Sequence, residues 1–136
     1  MNCIENYCKF FSSLTSDFDD ELFEQYFASD SLFQDPFQRV QGRKEIIAIF
    51  RHMFKTLENP RFVIKESLLN ENSGYIRWEF FYNSKSFEGM SHVVFDQNSL
   101  VTSHIDYWDA ASNVYEHIPI LGSLLRLIKT KIIASS

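Results

Sequence analysis

Hydrophobic positions change their period along the chain, and each change marks an element. Over residues 4–14 the apolar side chains Ile4, Tyr7, Cys8, Phe11 and Leu14 fall three or four apart, which is one face of a helix. A second helix follows: Ser16 or Asp17 can cap it, Asp19, Asp20 and Glu21 suit the positive end of its dipole, and Leu22, Phe23, Tyr26 and Phe27 form its buried side, with an end near Ser29. The stretch Ser31-Leu-Phe-Gln-Asp-Pro-Phe37 then reads as a short strand and a turn. After Gly42, Ile46, Ile47, Ile49, Phe50, Met53, Phe54 and Leu57 make a wide apolar stripe while Arg43, Lys44, Arg51 and Lys55 stay outside, so a long amphipathic helix is predicted over 43–57, ended by Asn59-Pro60.

From there the period becomes two. Residues 61–69, 75–82, 86–95 and 100–108 are rich in β-branched and aromatic side chains and are separated by turn-forming clusters around Asn70 and Asp96. Beyond them Pro119 interrupts a weakly helical stretch, and a last helix over 118–133 carries Ile120, Leu121, Leu124, Leu125, Ile128 and Ile132 with a cationic edge of Arg126, Lys129 and Lys131. Three helices followed by four consecutive strands predict an α+β fold, a curved antiparallel sheet wrapped round the long helix and packed by the N-terminal helices. Residues 110–136 would be a C-terminal helical extension of one domain spanning 1–136.

A chain of 136 residues that is 45% hydrophobic can bury a core without disulfides or metals. Fourteen Phe, six Tyr and two Trp exceed what such a core needs, so either the core is bulky or rings line a cavity. The net charge of -5, with basic residues scattered until the last helix, disfavours nucleic-acid binding. Cys3 and Cys8 have no metal-ligand spacing and read as reduced, structural thiols in a cytosolic, hence cytoplasmic, setting. Glu5 and the lack of an unbroken apolar run exclude a signal peptide or a membrane span at the N-terminus.

Asp35 is the first candidate for chemistry. Pro36 removes a backbone donor and holds Asp35 extended, and Leu32, Phe33 and Phe37 would desolvate its carboxylate, raising the pKa toward that of a general base at neutral pH. The alternative is that Asp-Pro merely opens a turn. His92, His104, Asp106 and Asp109 are metal-compatible types, but their spacing carries little specificity, and no metal or cofactor is expected. No Gly-x-Ser-x-Gly elbow is present for nucleophilic catalysis.

The order of elements, together with Phe33-Gln-Asp35-Pro36, Gly42, Gly89-Met-Ser-His92 and His104-Ile-Asp-Tyr-Trp-Asp109, resembles the nuclear transport factor 2-like superfamily over about residues 4–109. Ketosteroid isomerases and SnoaL-like polyketide cyclases share that cone-shaped, cystatin-like fold. The ketosteroid isomerase resemblance implies that Asp35 is a general base. It also aligns Phe10 and Ser91 with two donors of those enzymes, a Tyr and a protonated Asp, so steroid isomerisation of that type is not expected. The SnoaL-like resemblance implies acid-base work by His104 and Asp106 on the last strand. Alternation puts both on one face with Trp108, which either looks into the cone or is solvated. On the facing-in reading, Asp106 orients His104, and Phe10, Phe33, Phe50, Phe54, Trp78, Phe80, His92 and Trp108 surround the pocket; Tyr75 or Tyr107 would donate only if the strand phase were reversed.

Two functions follow. The first is proton transfer, of isomerase, cyclase or dehydratase type, on a small hydrophobic carbonyl compound. The second is a non-catalytic binding or dimerisation module, with a homodimer formed through the sheet face or the C-terminal helix. Membrane contact by 118–133 is the less favoured use of its apolar surface.

Overall fold

The computed structural model describes residues 1–109. The helical extension expected over 110–136 lies outside the described residues. In chain order the elements are α1 (Cys3–Ser13), α2 (Asp20–Glu24), β1 (Phe27–Gln34), β2 (Arg39–Gln41), α3 (Arg43–Thr56), β3 (Arg61–Asn70), β4 (Ser73–Tyr82), β5 (Lys85–Phe95) and β6 (Val101–Tyr107). The six strands form one sheet in the order β2-β1-β6-β5-β4-β3, antiparallel throughout except where β1 runs parallel to β6.

The expected α+β fold is present, with two corrections in its first half. The second helix is a single turn and a half, not the segment reaching Ser29, and β1 starts at Phe27. Phe27 is fully buried and pairs with Val101, so tertiary pairing overrides the helical spacing of Tyr26 and Phe27. The stretch before Asp35 is therefore an eight-residue strand, and β2 returns beside it as a short hairpin partner.

Local chemistry explains the elements that hold the site. Asn2 caps α1 by accepting the Glu5 backbone N–H at 2.9 Å. Gly42 precedes α3 with φ of 109°, a conformation that an L side chain rarely adopts. Asn83 and Ser84 both have positive φ in the two-residue turn between β4 and β5, which matches the twist of a tight hairpin. The register shifts between Ile64 and Glu66 and between Val94 and Phe95 are irregularities of the kind that bend and twist a sheet locally. Its inner face and the buried sides of α1 and α3 share one core of mostly aromatic residues. No helix among the described residues is long and apolar enough to cross a membrane.

A candidate acid-base site in an aromatic pocket

Alternation along β4, β5 and β6 sends Ile76, Trp78 and Phe80, then Phe87, Gly89 and Ser91, then His104 and Asp106 to the inner face. Gly89 stands opposite Trp78, and a Cβ there would lie 2.3 Å from the indole ring. The missing side chain lets the indole lie across β5, where its Nε1–H donates to Ser91 Oγ at 2.8 Å. Ser91 in turn donates to Asp106 Oδ1 at 2.5 Å.

His104 continues the chain of bonds. It is buried, stacked on Phe33 with centroids 4.7 Å apart because the parallel register sets those residues side by side. Burial, reinforced by Asp106 and Cys8, pushes the Tyr7 hydroxyl well above its ordinary pKa, so it remains a donor, and it lies 2.7 Å from Nδ1 of His104. Nδ1 is therefore the acceptor and the ring hydrogen is on Nε2, which donates to Asp106 Oδ1 at 2.7 Å. Both ring nitrogens are engaged inside the protein. The expected base at His104 has no nitrogen free for a substrate in this arrangement; its ring is held between Tyr7 and Asp106.

Asp35 joins the two readings that the sequence leaves open. Its Oδ1 closes the turn between β1 and β2 by accepting the backbone N–H groups of Phe37 at 2.8 Å and Gln38 at 3.0 Å. Its Oδ2 accepts from Gln38 Nε2 at 3.1 Å, and both residues line the pocket. Burial raises the carboxyl to about 6, against the lowering by the Gln38 side chain and the two backbone bonds, with Asp106 adding to the rise. Asp35 is a turn residue and a pocket carboxylate at once.

The pocket has a cavity volume of about 100 Å³, several times the roughly 10–15 Å³ that one water needs. Asp35, Gln38, Ser91, His104 and Asp106 make its polar end, and the remaining walls are aromatic or aliphatic, with Phe33, Phe50, Trp78, Phe80 and Trp108 among them. Three expected wall residues lie elsewhere. Phe10 points to the far side of α1, stacked on Tyr26 at 4.6 Å, because Tyr7 and Phe11, four residues apart, form the face that meets His104. Phe54, one turn beyond Phe50 along α3, packs beside Phe18 and does not reach the pocket. His92 is on the outer face of the sheet, opposite Ile105 and 4.8 Å from the ring of Tyr75, out of reach of His104. Tyr75 and Tyr107 are exposed on that same face. Among the described residues no group of three or more His, Cys, Asp or Glu is arranged to hold a metal ion.

Tyr7, Phe11, Gln38, Phe62 and Phe87 belong to the site or its support and are not among the site residues expected from the sequence. Alternation from Ser91 back to Phe87, and the helical interval from Phe11 back to Tyr7, are the signals that point to them. The SnoaL-like domain family matches residues 7–104, a span whose ends are the two residues bonded across the site. The chain belongs to the SnoaL-like domain family. None of the curated proteins matches it in sequence.

Many solved structures resemble this SnoaL-like domain. A de novo designed protein with a curved β-sheet has a TM-score of 0.70 at 13% identity, over 92% of this chain and 95% of that one. A steroid Δ-isomerase from Pseudomonas aeruginosa has a TM-score of 0.66 at 12% identity, over 97% and 92%. A bacterial protein with a cystatin-like fold from Silicibacter pomeroyi has 0.65 at 13%, over 86% and 80%. These identities establish the fold alone, and a designed protein and an isomerase share it, so function rests on the residues of the pocket.

Proposed function

We propose that this SnoaL-like domain binds a small, largely apolar molecule in the pocket and transfers a proton on it, with Asp35 as the base, in chemistry of the isomerase, cyclase or dehydratase type. The observation that carries this reading is a pocket carboxylate raised to about 6, held by two backbone N–H groups and facing an apolar cavity. A base with such a pKa is mostly ionised at neutral pH yet strong enough to accept a proton. Asp106, fixed by His104 and Ser91, is the second carboxylate at the reacting end. The polar hydrogens of Tyr7, Ser91, Trp78 and His104 are spent within the network. On a carbonyl substrate, stabilisation of the developing oxyanion falls to the remaining amide hydrogen of Gln38 or to a protonated carboxyl.

Small cyclic ketones, with and without an amino substituent, incubated with the protein in heavy water test the reading through deuterium uptake beside the carbonyl. Wild type should accelerate uptake on at least one compound by about a hundredfold or more over Asp35→Asn, the scale of general base catalysis. Equal rates for the two proteins would leave a pocket that binds without turnover.

We also propose a second copy of the chain as a partner, seated on the outer sheet face, where Leu68, Tyr75, Met90 and Tyr107 expose large apolar side chains. A monomer in sedimentation equilibrium at micromolar concentration would contradict it.

A further inference from the structure

The polar end of the pocket is rich in acceptors and poor in donors. An ionised carboxylate offers about four acceptor positions and an amide oxygen two. Asp35 has three positions filled by Phe37 and Gln38, which leaves one on Oδ2. Asp106 has Oδ1 filled by Ser91 and His104, and its Oδ2 has no hydrogen-bond partner among the described residues. Gln38 is only 7% exposed, and its Oε1 is buried with no partner among the described residues. Exchanging the amide atoms does not relieve this, because Oε1 would then face the Asp35 carboxylate. On the donor side, a single amide hydrogen of Gln38 is left over, and among the described residues no Lys or Arg lines the cavity.

A buried amide oxygen and two partly filled carboxylates need hydrogens from whatever enters. Aromatic rings make up much of the remaining wall, and the face of such a ring attracts a cation. An anion meets the carboxylates and the amide oxygen of the polar end, and an acceptor such as a bare ketone leaves Gln38 Oε1 and Asp106 Oδ2 unmatched.

We infer that the molecule this pocket takes carries a protonated amine on a small apolar or aromatic body, with the ammonium held by Asp106 Oδ2 and Gln38 Oε1. This rests on the proposed function in taking the pocket as the ligand site, and it leaves the open position of Asp35 Oδ2 for the proton transfer. It adds the substrate class: an amine, rather than a neutral ketone or an acid.

The two tryptophans of the chain, Trp78 and Trp108, both line the pocket, so intrinsic fluorescence reports its occupancy. Benzylamine, benzyl alcohol and benzoate, matched in size and differing in charge, are titrated into the full chain at neutral pH. Benzylamine should bind saturably and about tenfold or more tightly than benzyl alcohol, as one charge-assisted hydrogen bond gives, and benzoate should not saturate. Asp106→Asn should remove most of the preference for the amine over benzyl alcohol. Benzyl alcohol or benzoate binding as tightly as benzylamine, or no saturable binding by any of the three, overturns the inference from the wild-type protein alone, without reliance on a variant. Amine preference combined with equal deuterium uptake by wild type and Asp35→Asn sinks the proposed catalysis and keeps this inference; the reverse combination sinks only this inference.

Discussion

The inner and outer faces of β4, β5 and β6 are built from adjacent residues of the same strands, yet they treat polar groups in opposite ways. On the inner face, Trp78, Ser91, Asp106, His104 and Tyr7 form one continuous series of bonds between 2.5 and 2.8 Å. On the outer face, Arg77 makes loose ion pairs of 3.7 Å with Glu66 and 4.0 Å with Glu88, all well exposed, and His92 rests against Tyr75. Water can replace any outer partner, so those pairs contribute little. Inner partners have no replacement, so each group there is fixed by its neighbour and the carboxylates are left aimed at the cavity.

The largest contrast should come from the two histidines. His104→Leu leaves the Tyr7 hydroxyl and the Asp106 carboxylate without their buried partner and should cost about 4 kcal/mol, whereas His92→Ala should stay within about 0.5 kcal/mol. Urea denaturation measures both, and similar losses would mean that the inner series does not behave as a unit. Next come two sequence neighbours on opposite faces. Gly89→Ala drives a methyl into the Trp78 ring and should cost about 2 kcal/mol while shifting tryptophan emission. Met90→Ala, on the half-exposed outer side, should cost well under 1 kcal/mol and leave the emission unchanged.

A smaller effect has the opposite sign. The folded-state pKa of Asp35 lies above its unfolded value, so between about pH 4 and 6 the folded protein binds more protons, and the stability present at lower pH is lost as pH rises through about 6. Asp35→Asn removes that loss. It should stabilise the protein by about 1–2 kcal/mol at neutral pH, with the gain vanishing near pH 4. Its Oδ1 can still close the turn. A destabilised Asp35→Asn at neutral pH would show that the carboxylate is a favourable structural group.

Most of this fold was legible because helical and strand periods are strong over α1, α3 and β3 to β6. The short α2 and the β1-β2 hairpin were not, since Ser29, Asp30 and Ser31 dilute the strand pattern and only pairing with β6 recruits Phe27. At the site, alternation sorted His104, Asp106 and Trp108 to one face of their strand, but left open which face looks inward. Tyr7 was hidden because a tyrosine at helical spacing reads as ordinary core, and Gln38 because a polar residue after Asp-Pro-Phe reads as solvated turn. Burial of a group that local pattern treats as surface is a tertiary fact.

Asp35 tests the account most directly, since the same carboxylate is said to close a turn and to serve a desolvated pocket. Its side-chain carboxyl carbon can be followed by NMR across a pH titration of the free protein. A midpoint near 6 is the predicted result. A midpoint near the ordinary aspartate value of about 3.9 would make Asp35 a solvated turn residue and remove the base from the pocket.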